Sequence, residues 1–257
     1  MSAPELSFDD APSALALTTD AVLGGAVEFQ QPASGYRVNV DSVLLAAFAA
    51  EGRRATLALD LGAGVGVLAL VLHRFGAAER FALVEREAAL ARCAEANLRR
   101  AGASGRVLVS DLSTARLPPE LAGAADLVVT NPPFFSAGEH RAPSDEARRR
   151  ARQGTLAPFL AAAALALAGP RGRAVVAYPA RSLGALFEGA QAAGLVPKRL
   201  RLVHAFADRA ARLALVELRR AKPGGLVVEP PLIEWSAPGV ASPELARLSA
   251  ARASDRG

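Results

Sequence analysis

A chain of 257 residues, 51% of them hydrophobic, can bury a full core in one large α/β domain or two small ones. Its single cysteine, Cys93, excludes a disulfide framework, and its three histidines (His73, His140, His204) are too scattered for a metal-ligand spacing. The formal net charge of +5 is carried almost wholly by arginine, whose planar fork suits phosphate, although Ala and Arg are abundant everywhere as a composition bias would make them.

No opening stretch has a basic then apolar leader pattern, and no apolar run reaches spanning length, so a soluble, cytoplasmic protein without a membrane partner is expected. Residues 1–19, polar and rich in Ala, Pro and Ser at their start, are expected to form a flexible terminus. Residues 20–50 read as a strand, loop and helix cap: a Gly24-Gly25 turn, a strand over 26–29, a loop over 30–37, and Asp41 as N-cap of a helix over 42–50.

From residue 55 to 220, short apolar runs alternate with helical patterns. Strands are expected over 56–60, 80–85, 106–111, 125–130, 174–178, 200–206 and 213–219, and helices over 65–75, 87–101, 153–168 and 181–193. This alternation predicts a mostly parallel sheet covered on both faces. The last two strands leave no room for a helix between them and should pair as an antiparallel edge hairpin. The main domain then spans 51–237, followed by a tail over 238–257 that reads as weak helix or disorder.

The chemistry sits at the carboxyl ends of the first four of these strands. Asp60-Leu61-Gly62-Ala63-Gly64-Val65-Gly66 ends the first strand and opens the first helix, where glycines permit a sharp turn and let a ligand lie on bare backbone. Its spacing is G-x-G-x-G, and an acid precedes the first glycine by two positions, which suits a ligand bearing a cation better than a pyrophosphate. Glu85 ends the second strand, where a carboxylate can take both hydroxyls of a ribose; Asp111 ends the third and can accept from an adenine amino group. Singly, each is an ordinary surface acid; together they converge on one crevice. Asn131-Pro132-Pro133-Phe134 ends the fourth strand. Two prolines remove two N–H donors and force the preceding residues into extended backbone, leaving a stiff ledge of acceptors that suits a flat group presenting –NH2.

These residues resemble the class I S-adenosylmethionine-dependent methyltransferases that methylate amino groups through an N-P-P-[YF] motif. Leu23-Gly24-Gly25, Gln31-Pro32, Gly35-Tyr36-Arg37, Asp41 to Ala46, Phe135 and Pro230-Pro231-Leu232 are further similar to the bacterial tRNA adenine N6-methyltransferases, which act on the adenine just 3′ of the anticodon of a valine tRNA. The resemblance implies a Rossmann-like fold with a seven-stranded sheet, and S-adenosyl-L-methionine held by Asp60, Gly62, Gly64, Gly66, Glu85, Asp111, Leu112 and Asn131. It implies methyl transfer to adenine N6 by Asn131, Pro132, Pro133 and Phe134, with the amino group held by the Asn131 side chain and the Pro132 carbonyl, and with no metal. A structured RNA, foremost a tRNA, is the expected partner, met by Arg37 and by Arg148, Arg149, Arg150 and Arg152 in a polar segment read either as a flap on phosphates or as a solvated helix face. Where family members often carry an acid after the Ala-Arg pair, this chain has Gln153. Competing readings are methylation of a protein glutamine, methylation of guanine N2 in ribosomal RNA, and an RNA-binding module on a decayed methyltransferase fold.

Overall fold

A computed structural model describes residues 16–34, 40–113, 117–132, 145–221 and 223–250, with backbone alone for 145–155. In chain order the strands are β1 (Leu17–Val22), β2 (Val27–Pro32), β3 (Ala55–Leu61), β4 (Ala78–Glu85), β5 (Gly105–Val109), β6 (Leu127–Thr130), β7 (Arg173–Pro179), β8 (Val196–His204), β9 (Ala211–Arg219), β10 (Val227–Val228), β11 (Leu232–Ile233), β12 (Trp235–Ala237) and β13 (Val240–Ala241). The helices are α1 (Val40–Ala50), α2 (Val67–Arg74), α3 (Ala88–Arg100), α4 (Asp145–Ala166), α5 (Leu183–Ala192) and α6 (Pro243–Ala250).

The seven expected strands, β3 to β9, lie in the order β8-β9-β7-β6-β3-β4-β5. All are parallel except β9, which runs antiparallel to both β7 and β8. Side chains alternate across the sheet as the pleat requires. Leu127 and Val129 join the core under α1, α2 and α3, whereas Val128 joins the core under α4 and α5. A sheet buried on both faces explains why β6 reads as an uninterrupted apolar run.

The hairpin β8–β9 does not end bare. The short β10 and β11 add to the outer side of β8, both parallel to it. Their two-residue lengths hide them from periodicity. The chain also orders earlier and later than its composition predicts. Leu17–Val22 pairs with β2, so Leu17, Thr18 and Thr19 belong to a strand rather than to a loose terminus. Around residue 238 the chain turns through the β12–β13 hairpin, and it then forms α6, whose Leu245 is buried beside Leu23 in the first core.

Asp41 is not an N-cap. α1 begins at Val40, and the Asp41 carboxylate is buried and accepts from Arg212 Nη1 at 2.7 Å. The helix expected from residue 153 begins at Asp145, so the arginine-rich segment is helical in its backbone from there on. Cys93 is buried against the first core, as its helical surroundings predict. Among the described residues, no helix is long and apolar enough to cross a membrane.

Candidate active site

β3 lies between β4 and β6, and the chain runs outward to β4 and β5 before returning to the other side of β3. That reversal opens a crevice beyond the carboxyl ends of β3 and β6, where open α/β sheets bind ligands. Asp60 and Asn131 come from the two strands flanking it.

The glycine turn is built from three different constraints. Gly62 and Ala63 N–H both donate to the Val84 carbonyl, at 2.8 and 3.1 Å, folding the turn onto β4. Gly62, Gly64 and Gly66 all have positive φ (76°, 56° and 85°), a region that side chains rarely enter. A Cβ on Gly62 would lie 2.9 Å from Phe159 of α4, and one on Gly66 would press on Leu83 and Ala94. Those two glycines are packed. Gly64 instead faces open space, with nothing within 4 Å of its Cβ position, so it leaves bare backbone for a ligand at the start of α2.

The Glu85 carboxylate braces this turn. Its Oε2 accepts from Gly64 N–H at 2.8 Å and its Oε1 from Glu87 N–H at 2.9 Å. Asp60 is buried, and its Oδ2 has no hydrogen-bond partner among the described residues. Burial, and then the charge of Glu85, push the Asp60 carboxyl up to about 8. Asp111 stands two residues past β5, partly exposed. The Ser113 hydroxyl and N–H donate to it at 2.7 and 2.9 Å and hold its carboxyl below the usual range. Leu112 is buried in the second core beside Leu117 and Leu121.

On the other flank, Asn131 is half-buried and Pro132 buried. Asn131 Oδ1 is buried without a partner among the described residues. An acceptor left bare in this way costs about 1–3 kcal/mol, a cost that a ligand N–H would remove. Pro133, Phe134 and Arg37 lie outside the described residues, as do the side chains of Arg148, Arg149, Arg150 and Arg152. Asp60, the glycines, Glu85, Asp111 and Asn131 thus stand at or just past the carboxyl ends of β3 to β6.

Two residues passed over in the sequence hold the crevice in shape. Buried Thr130 donates through Oγ1 to the Leu61 carbonyl at 2.8 Å, strapping the ledge to the strand that enters the glycine turn. Buried Asn97 donates to the carbonyls of Val65 (2.9 Å) and Gln30 (2.9 Å) and accepts from Gln30 N–H (2.8 Å), tying the turn to β2. Nothing in the sequence marks Thr130 apart from other β-branched strand residues. Asn97 carries one sign: it falls on the apolar face of α3, four positions after Cys93 and next to Leu98.

Two acceptors unpartnered among the described residues, and an open glycine, fit a ligand that brings donors and positive charge. The methyltransferase small domain family matches residues 36–149. The 16S rRNA N2 G1207 methyltransferase RsmC of T. thermophilus, solved with AdoMet and guanosine, superposes with a TM-score of 0.55 at 26% identity, over 82% of this chain and 52% of that one. The release factor glutamine methyltransferase of Mycolicibacterium smegmatis is 39% identical over 102 residues, 40% of this chain and 36% of that protein. Fold and site together define a class I methyltransferase that uses S-adenosyl-L-methionine. Over 235 residues the chain is 31% identical to the tRNA1(Val) (adenine(37)-N6)-methyltransferase of Porphyromonas gingivalis, covering 86% of this chain and 90% of that protein. The chain belongs to the tRNA1(Val) (adenine(37)-N6)-methyltransferase family.

Proposed function

We propose that this enzyme methylates the N6 amino group of an adenine in a tRNA anticodon loop. The observation that carries the reading is the buried Asn131 Oδ1, directly before Pro132 and without a partner among the described residues. An adenine amino group is a poor nucleophile because its lone pair is delocalised into the ring. Accepting its N–H at Asn131 Oδ1, and its second at the Pro132 carbonyl, localises that pair and fixes its direction. Phe134 would stack on the base. S-adenosylmethionine supplies an electrophilic methyl group on a sulfonium centre. The methyl–sulfur bond breaks as the methyl–nitrogen bond forms, and the surplus N6 proton leaves to water. Asp60, the glycine backbone, Glu85, Asp111 and Leu112 are the residues we assign to cofactor binding. A target base must leave its stack, which is easiest in a single-stranded loop. Arg37 and the α4 arginines are the proposed phosphate contacts, which makes RNA affinity fall steeply with salt.

The resemblance to the glutamine methyltransferase stops at 102 residues, whereas that to the tRNA enzyme also takes in most of the rest of the chain. Incubation with labelled S-adenosylmethionine and tRNA from cells lacking this activity is expected to yield N6-methyladenine. Label recovered in protein glutamine would transfer the assignment to the rival substrate.

The position of the Asp60 titration makes a separate prediction. A carboxyl held near 8 in the folded chain and near 4 in the unfolded one keeps its proton in the folded state across that interval. The folded state then binds more protons, so the stability of the ligand-free protein falls as pH rises from about 4 to 8, by at most about 1.4 kcal/mol per unit. Asp60→Asn should flatten that slope in thermal unfolding. A cationic cofactor beside Asp60 favours the ionised form, so its binding should release a proton between about pH 6 and 8. Calorimetry in buffers of different ionisation heat measures this directly. Binding without proton release would remove Asp60 from the cofactor site.

A further inference from the structure

We infer that Trp235 and Phe206 form a second RNA contact, a stacking platform for a nucleobase lying several nucleotides from the reacting adenine; the inference rests on the RNA reading above. The topology places it. β8 and β11 run parallel to β6, so their carboxyl ends emerge at the same edge of the sheet as Asn131. Thr130 is level with Val176, Val216 and Leu200 across the sheet, whereas Ile233 pairs with His204, four residues further on. The β8/β11 end therefore rises ~13 Å above the level of the ledge, and four strand spacings, ~19 Å, separate it laterally from β6.

At that end lies a groove of about 400 Å³ lined by Phe206, Ile233, Trp235 and Pro243, with Asp208, Ser236 and Ser242 as its polar members. Trp235 is 37% exposed. Its backbone is held rigidly. Trp235 N–H donates to the Ala205 carbonyl at 3.0 Å, and the preceding Glu234 N–H donates to the His204 carbonyl at 2.9 Å. The buried Glu234 carboxylate accepts from both Arg212 Nε and Nη2 at 2.5 Å. His204 Nδ1 donates to the Arg209 carbonyl at 2.7 Å and closes the turn that carries Phe206. A wet aromatic plane on so fixed a backbone loses little entropy when a base stacks on it. Exposed Arg181, just after β7, supplies positive charge along this edge, exposed Arg209 on the same turn pairs with Asp208 at 3.9 Å, and Ser236 can meet the hydrogen-bonding edge of a base.

Trp235 is the chain's one tryptophan, so its fluorescence reports on this groove alone. Titrating the intact protein with unmodified tRNA should quench that emission and shield it from acrylamide. Trp235→Ala should raise the KM for tRNA roughly tenfold or more, the range measured for loss of one base stack, while Trp235→Phe should restore most of the loss. The affinity of the Ala variant for S-adenosylmethionine, measured by calorimetry, should match that of the parent and so report an intact fold. Methylation of tRNA with unchanged emission and an unchanged KM in Trp235→Ala would overturn this inference and leave the proposed function standing. A wild-type chain that binds no RNA would overturn both. An emission shift that follows protein concentration without RNA would assign the groove to a second copy of the chain and overturn the stacking role.

Discussion

Asn131→Ala is expected to lower kcat for methyl transfer by about a hundredfold to a thousandfold or more, the scale at which a single pre-placed hydrogen-bonding group acts in a transition state. The affinity for S-adenosylmethionine should stay within a few-fold, because Asp60, Glu85 and the glycine turn are untouched. The expected loss follows from geometry. Thr130 straps β6 to β3 through the Leu61 carbonyl, so the ledge cannot shift to recover the missing acceptor. Asn131→Asp discriminates further: it keeps an acceptor at the same place but adds charge, and should retain more turnover than alanine. Calorimetry on the variants separates binding from turnover. An alanine variant that turns over at the parental rate would remove Asn131 from the chemistry.

The second large effect concerns stability. Arg212 of β9 lies between two carboxylates, Asp41 from α1 and Glu234 between β11 and β12, both more than nine-tenths buried. Hydrogen bonds that it donates to Glu234, and then the charge of Asp41, hold the guanidinium well above its usual range. Arg212→Met keeps the length of the side chain and takes the guanidinium away from both buried carboxylates. Breaking a buried pair from one side costs about 3–5 kcal/mol, and the partial exposure of Arg212 argues for the lower end. Denaturant unfolding at pH 7 should show a loss of about 3 kcal/mol, and adding Glu234→Gln to that variant should return part of it. A change below about 1 kcal/mol would mean that water replaces Arg212 without penalty. Because the triad joins the cap helix to the strand end that carries Trp235, its loss should also weaken tRNA binding more than cofactor binding.

The candidate site could be proposed from the sequence because such chemistry is written in short, local codes. A glycine at positive φ, a proline without an N–H and an acid at a strand end carry their meaning in residue type and spacing. Asp60, the three glycines, Glu85, Asp111 and Asn131 could therefore be named before any strand order was known. The misreadings share a cause. Asp41 has the residue type and position of an N-cap, but Arg212, 171 residues away, draws its carboxylate into a buried ion pair. β10 and β11 are too short to show a period, and they exist because β8 offers them an unpaired edge. β1 looked like a loose end because its partner, β2, lies further along the chain, whereas the helical reading of the tail is the one α6 takes.

The sequence by itself determined the sheet, its helices on both faces and the residue types gathered at the carboxyl ends of the strands, because hydrophobic period and turn chemistry act over a few neighbouring residues. Only the tertiary structure decided which acceptors are left bare, which glycine faces open space and which tryptophan stands at the same edge as the ledge. Burial and hydrogen-bond satisfaction belong to pairs of groups distant along the chain, and no local pattern encodes whether the partner arrives.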